Sequence, residues 1–343
     1  MSNSVKAKNI TAQDVADLAG VSRAAVSRTF SNKGSVAEHT RQKVLEAAKK
    51  LGYQVNILAQ SLNRQRSDLV GLVTTTTRDP FRSLLLEHLI KQIQQAGFQA
   101  LVTEVESAQD LEQTLQKFIQ FRVSGVIITS GRPPAEFAKE CVRCEIPVVV
   151  INRETDLVNV DVVKSDNSAG AELAAKALLA ANCKRLAYLN VRNDTYSSSA
   201  RGAAFIKAIA EEMVDNTVSF DQIIAEYPRY EGGAKVAREV FANGVKYDGI
   251  FCANDLLACG FIDGARNAYQ YRAPQDFCII GFDDIPVANF ESYELTTIRQ
   301  DTSAIAKQAL ELLRERATQN DRPQVIQNIN VELVTRNSVT KRN

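Results

Sequence analysis

Between positions 23 and 28 the chain places two arginines, a serine and three small apolar residues, a set suited to reading nucleic-acid base edges. An arginine guanidinium bonds the O6 and N7 of guanine with two donors, and serine or small apolar groups suit phosphates and thymine methyls. That chemistry requires the set on one exposed face of a rigid element. Ser22 supplies a cap for a helix over 23–30, in which Val26 and Phe30, four apart, turn inward while Arg23, Ala24, Ser27 and Arg28 stay outside. Ahead of it, Thr11 with Asp14 forms a capping box for a first helix whose apolar face is Val15, Ala16, Leu18 and Ala19. Gly20-Val21-Ser22 is a turn short enough to join two helices steeply. A third helix over 38–51 is expected to bury Val44, Leu45, Ala48 and Leu51 and to stop at Gly52, with Ser35 and Glu38 as its capping box. The pattern is that of a helix-turn-helix, which presents its second helix to the major groove.

Charge supports this reading. Residues 1–66 hold eleven Lys and Arg against four acids, a net of +7, so a chain of net charge +1 carries a basic head on a mildly acidic body. Basic density at one end is the electrostatic footprint of phosphate binding.

Residues 10–26, continued through Val26-Ser27-Arg28, Thr40-Arg41 and Leu51-Gly52-Tyr53, resemble the lactose/galactose repressor family of bacterial transcription regulators. Asn56, Ala59 and Leu62 extend the likeness into the segment that forms that family's hinge helix. The resemblance implies DNA contacts at Thr11, Ser22, Arg23, Ala24, Ser27, Arg28, Thr40, Tyr53, Asn56 and Leu62. Two departures stand out: Val55 where the family usually has proline, which loosens the start of the hinge, and Ala37 where a serine usually caps the third helix.

The remaining chain, of 343 residues in all, is long enough for two further cores. Short β-branched runs at 69–73, 100–104, 125–129, 148–151, 185–190, 249–253 and 277–282 alternate with helical stretches at 84–96, 111–121, 169–180 and 256–268. Strand and helix repeated in this order imply parallel sheets covered on both faces. The expected fold is a small all-α helix-turn-helix head plus an α/β core of two doubly wound parallel sheets, which the resemblance makes periplasmic-binding-protein-like. The head spans 9–54 and the hinge 55–66. The core runs 68–343, with lobe 1 about 68–163 and 292–325, and lobe 2 about 164–291 and 326–343. No stretch reaches the roughly 18 apolar residues of a membrane helix, and the N-terminus is polar, so a cytoplasmic protein is expected. Six cysteines at 141, 144, 183, 252, 259 and 278 are read as reduced, buried thiols, the Cys141–Cys144 pair lacking a second pair of zinc ligands.

Doubly wound sheets bind ligands beyond the carboxyl ends of their strands. There the chain offers Asp79 and Phe81, Asn152-Arg153, a loop at 196–201, Asn254-Asp255 and Asp283-Asp284. Each has an ordinary alternative as a turn or helix cap. Together with Asp166-Asn167-x-x-Gly170 and Leu295-Thr296-Thr297-Ile298 they match the family's core, which implies effector contacts at Arg201, Asn254 and Asp283, with Asp79, Phe81 and Arg153 joining them. The expectation is a homodimeric repressor without cofactor or metal that binds a palindromic operator under control of a carbohydrate-like effector. No leucine heptads follow residue 338 to build a coiled coil. An enzyme or a small-molecule-binding protein using the α/β cleft are the alternatives. Against them stand two histidines outside the proposed cleft segments, no G-x-S-x-G or P-loop, and the basic head.

Overall fold

The computed structural model describes residues 10–30, 36–53, 67–75, 77–105, 107–129, 135–191, 195–212 and 218–342. The chain divides into two compact units, Met1–Ser67 and Asp68–Asn343. Ser35 and the hinge segment 55–66, with Asn56 and Leu62, lie outside the described residues.

The head consists of α1 (Ala12–Ala19), α2 (Arg23–Thr29) and α3 (Glu38–Leu51). Thr11 and Asp14 cap α1 reciprocally: the Thr11 hydroxyl accepts from the Asp14 amide at 3.3 Å and Asp14 accepts from the Thr11 amide at 2.7 Å. Ser22 caps α2 through the Ala25 amide at 3.2 Å. Helix α3 starts after Ala37 without a side-chain cap. Val15, Ala16, Val26, Val44, Ala47 and Ala48 form the core, closed by the Phe30 and Tyr53 rings 5.7 Å apart. Leu18 and Leu45, expected inside, are 51% and 43% exposed. The stripes that pack are Ala12-Val15-Ala16-Ala19 and Val44-Ala47-Ala48-Leu51, each spaced i, i+3, i+4, i+7, and both leucines fall beside them.

In the second unit the order is β1 (Leu69–Thr74), α4 (Pro80–Gln95), β2 (Gln99–Glu104), α5 (Ala108–Gln120), β3 (Gly125–Thr129), α6 (Ala135–Arg143), β4 (Val148–Ile151), β5 (Val160–Ser165) and α7 (Asn167–Ala180). It continues with β6 (Arg185–Val191), α8 (Tyr196–Glu212), β7 (Ser219–Ala225), α9 (Tyr230–Val240), β8 (Gly249–Cys252), α10 (Asp255–Tyr269) and β9 (Cys278–Asp283). After a 3-10 turn at Pro286–Asn289 come β10 (Thr296–Gln300), α11 (Thr302–Thr318), β11 (Ile326–Ile329) and β12 (Val331–Val334). Lobe 1 is a parallel sheet ordered β11-β5-β4-β3-β1-β2; lobe 2 is ordered β12-β10-β9-β8-β6-β7 and is parallel except for the β10–β12 pair. Strand order reverses around β1 and β6, which opens a crevice at the carboxyl edge of each sheet.

The first crossing between lobes falls at Ser165–Asn167, two residues past the boundary read from sequence, and the later two differ more from that reading. Strand β10 stays in lobe 2, paired with β9, so residues 292–300 belong there, and the chain crosses at Gln300–Thr302. Strand β11 pairs with β5 in lobe 1, so 326–329 belong to lobe 1 and the last crossing is at Ile329–Val331. The cause is a buried ionic knot. Asp161 of β5 accepts from Arg316 of α11 at 2.5 and 3.1 Å, from Arg322 at 2.7 Å and from the Val325 amide at 2.9 Å, which holds the segment after α11 beside β5. Asp161 and Arg316 are both fully buried.

Candidate functional site

Two candidate surfaces emerge. On the head, Arg23, Ala24, Ser27 and Arg28 lie exposed along α2, with Ser22 and Thr11 at the exposed helix starts and Thr40 half-buried on α3. Arg28 folds back to donate to the Ala24 carbonyl at 3.3 Å. Tyr53, expected to contact DNA, is half-buried against Phe30 and the head core.

In the second unit a buried polar chain joins the lobes at the crossovers. The Gln300 side-chain carbonyl accepts from Ser165 at 2.5 Å and from Asn152 at 3.3 Å, and its amide donates to Asp283 at 2.6 Å. Asn152 also accepts from the Ser165 backbone amide at 2.9 Å. On the lobe 2 side, Arg201 donates to Asn167 at 2.8 Å and to the Ala253 carbonyl at 2.5 Å, stacks 3.4 Å from the Phe282 ring centroid, and lies 3.9 Å from Asp283. Lys164 of β5 donates to the Tyr196 hydroxyl of α8 at 3.0 Å and ties the lobes a second time.

Backbone geometry marks the same place. Asn152 (φ 51°), Asp283 (φ 124°) and Asp284 (φ 56°) occupy left-handed conformations just past or at the ends of β4 and β9. Such strain in side-chain-bearing residues gathers where a structure aims groups at a site. Electrostatics agree. Burial drives the Asp283 carboxyl well above the usual range, Arg201 opposes this, and the carboxylates of Asp255 and of Asp79 on lobe 1 add to the rise. Burial likewise lowers Arg201, so its ion pair with Asp283 offsets only part of the desolvation of either group.

The remaining sequence candidates divide. Asp79 is half-buried and caps α4 by accepting from the Arg82 amide at 3.0 Å. Asn254 caps α10 through the Leu257 amide at 2.9 Å, and its amide nitrogen reaches the Pro228 carbonyl at 3.4 Å. Arg153 is half-buried, drawn down by burial and held up by Glu136. Phe81 is 8% exposed and packs in the core, so it presents little ring to a ligand. The segment 196–201, read as a loop, is the first turns of α8, capped where the Thr195 hydroxyl accepts from the Ser198 amide at 3.3 Å. Asp255 is fully buried, accepting from Thr297 at 2.5 Å and the Ile285 amide at 2.9 Å. A Cβ at Gly281 would come within 2.1 Å of it, so glycine is required there.

Gln300 and Ser165 escaped the sequence reading; the available signal was their place as the last residues of strands β10 and β5. A cavity of about 660 Å³ reaches Asp283 and Gln300 and is walled by His88 and Leu84 of α4, Asp284, Arg299, Thr302 and Glu332 among others. His88, expected away from the cleft, bonds Thr302 at 2.8 Å on this wall because α4 packs along the start of α11. Asp79, Arg153, Arg201 and Asn254 do not line that cavity. Among the described residues no helix is long and apolar enough to cross a membrane.

Residues 11–56 match the family model of bacterial regulatory proteins of the lacI family, and residues 175–339 match a periplasmic binding protein-like domain. The chain is 30% identical over 340 residues to the HTH-type transcriptional repressor PurR of Mannheimia succiniciproducens, covering 96% of this chain and 99% of that protein. It is 30% identical over 324 residues to the ribose operon repressor of Lactococcus lactis subsp. lactis, covering 94% of each. A crystal structure of the lac repressor dimer bound to operator and the anti-inducer ONPF superposes with a TM-score of 0.81 at 23% identity, over 97% of this chain and all of that one.

Proposed function

Because this chain belongs to the lacI family of bacterial regulatory proteins, we propose that it is a homodimeric repressor in the cytoplasm, whose grip on a palindromic operator is set by a small polyhydroxy effector between the two lobes. DNA-binding transcription regulation is the activity of the family. The effector class, the residues that meet it and the dimer are our own reading. A ribose operon repressor among the relatives and a periplasmic-binding-protein-like core support it.

On the head, Arg23 and Arg28 read base edges from α2, Ala24 and Ser27 set which neighbours are tolerated, and Thr11, Ser22, Thr40 and Tyr53 position the unit on phosphates. In the hinge, Asn56 and Leu62 meet the minor groove, with Leu62 as a wedge that kinks a flexible central step. Leu62→Ala is expected to lower specific affinity and to leave nonspecific binding unchanged, read by DNA bending and titration.

The observation that carries the effector reading is the chain from Asp283 through Gln300 to Ser165 and Asn152. A ligand hydroxyl that donates to Asp283 competes with the Gln300 amide, and Gln300, at the end of a crossover strand of lobe 2, bonds both Ser165 and Asn152 of lobe 1. Occupancy at Asp283 therefore biases the angle between lobes, a population shift rather than a new fold. We assign Arg201, 3.9 Å from Asp283, to ring oxygens and carry Asp79, Arg153 and Asn254 over from the family resemblance, although none of the four lines the cavity beside Gln300. Linkage makes the coupling reciprocal: effector changes operator affinity by the factor with which operator changes effector affinity.

Titration calorimetry with D-ribose and a panel of other sugars and sugar acids tests this. A ligand found for the parent should lose at least tenfold in affinity to Arg201→Ala and to Asp283→Asn. Full affinity in both variants, or equal affinity for free and operator-bound protein, would remove the cleft as the regulatory site.

A further inference from the structure

At the end of the lobe 2 sheet opposite the cleft, two cysteines converge on one backbone carbonyl, one through its sulfur and one through its amide. Cys183, in the connection between α7 and β6, bonds the Asp248 carbonyl at 3.2 Å, and the backbone amide of Cys278, the first residue of β9, donates to the same oxygen at 2.8 Å. Both cysteines thus sit against the same carbonyl at the start of β8. Their approach depends on Gly249, which pairs in register with Cys278. A Cβ at 249 would lie 2.8 Å from the Cys183 Cβ and 3.1 Å from its sulfur, so the bare backbone lets Cys183 lean across β8 toward its neighbour.

A strap of C-terminal residues covers the pair. The Cys278 sulfur meets the Thr340 carbonyl at 3.5 Å. Arg342 is pinned by its amide on Ala181 at 2.9 Å, by Asn182 on its carbonyl at 3.0 Å, and by its guanidinium on Pro274 at 3.3 Å. Thr340 and Lys341 are exposed, whereas both cysteines are fully buried beneath them. An exposed strap held by a few hydrogen bonds opens locally at far lower cost than the sheet it covers.

We propose that Cys183 and Cys278 form a dithiol modification site, oxidised to a disulfide by hydroperoxides when residues 340–342 lift. The two sulfurs have unequal roles. The neighbouring Cys183 thiol, with Arg342 nearby, draws the Cys278 thiol below its ordinary value, while Cys278 and burial push Cys183 far up. Cys278 is thus the attacking thiolate and Cys183 the protonated resolving partner. The Cys278 sulfur takes the distal oxygen of hydrogen peroxide, the O–O bond breaks, and hydroxide leaves to become water by taking a proton from solvent. The Cys183 sulfur then attacks the sulfenic acid, its S–H proton joins the departing oxygen, and a second water is released. Two thiols are oxidised by two electrons and one peroxide is reduced. The new bond replaces the contacts of Cys278 with Thr340, so the strap should stay open in the oxidised protein.

The test uses full-length protein, hydrogen peroxide and non-reducing peptide mapping. The expected product lacks two hydrogen atoms and yields one linked peptide pair containing Cys183 and Cys278. Cys183→Ser should leave a sulfenic acid on Cys278 that dimedone traps, and Cys278→Ser should give no linked pair. Deleting residues 340–343 should speed the linkage at least tenfold. Linkage among Cys141, Cys144, Cys252 or Cys259 instead, no linkage in folded parent, or a rate indifferent to the deletion would each overturn the proposal. Thermal melts of the serine variants establish that they fold; if either does not, alanine at the same position replaces it.

Discussion

The head and the second unit hold their candidate contacts in opposite ways. On the head the side-chain hydrogen bonds of α2 span three or four residues: Ser22 to Ala25, Thr29 to Ala25, Arg28 to Ala24. In the cleft the deciding bonds span 135 residues from Ser165 to Gln300 and 148 from Asn152 to Gln300. The head therefore offers exposed groups on a locally made scaffold, and its side chains can be exchanged without disturbing it. The cleft groups are at once ligands in waiting and parts of the packing, so changing one alters fold and binding together. A protein can re-aim its DNA specificity cheaply and its effector specificity only at some cost in stability.

Four measurements break or sharpen that contrast. The largest effect should come from Asp161→Asn, which leaves the buried Arg316 guanidinium without its countercharge. A loss of about 3–5 kcal/mol in urea unfolding of the second unit is expected. A loss below about 1 kcal/mol would mean the long-range knot is not what seats β11.

Next is Asp255, buried like Asp161 but bonded to a hydroxyl and a backbone amide instead of two arginines, with burial as the main cause that raises its carboxyl to about 6. A raised carboxyl stabilises the fold fully below its unfolded value near ~3.9, and that contribution is lost as pH climbs through 6. Between pH 4 and 7 the parent should thus lose on the order of 2–3 kcal/mol relative to Asp255→Asn. Parallel stability curves for the two proteins would contradict this.

On the head, Arg23→Ala and Arg28→Ala should each cost about 1–3 kcal/mol of operator affinity and relax preference at single base positions, with melting of the head unchanged. Selection from random DNA reads the first effect and calorimetry the second. An unaltered sequence preference, or a fall in melting temperature matching the affinity loss, would erase the difference between head and cleft. The smallest effect belongs to Ser22→Ala, which removes the α2 cap and should destabilise the head alone by about 1 kcal/mol.

What could be read from the chain follows the same division. The caps at Thr11 and Ser22 and the outward face of α2 are written in neighbouring residues, and a reader of sequence meets them directly. Leu18 and Leu45 look like core because they are apolar and near the right phase, yet eight- and fourteen-residue helices bury a single narrow stripe. In the second unit the alternation of strands and helices was legible, as was the first crossing. The later crossings were not, because β11 is the half-exposed strand Ile326–Ile329 whose place is decided by Asp161, far away in sequence. Asp283 and Arg201 were singled out by motif. Gln300, which connects Asp283 to lobe 1, has only the weak signature of ending a strand, since a glutamine closing a strand is ordinary until its partners are known.

The interleaving of the lobes also sets the order in which this protein can be made. Lobe 1 has most of its strands by Ser165, yet α11 and β11, which cover one face and complete its edge, are some 160 residues further along. At about 5–20 residues per second, a ribosome leaves that face bare for roughly ten to thirty seconds. Lobe 2 is in a similar position until β12 is made. Neither lobe can complete its sheet before residues 326–334 have been made, so the two finish close together. Truncation that removes β11 and β12, unlike loss of the last few residues, should unravel the whole second unit and not merely trim it.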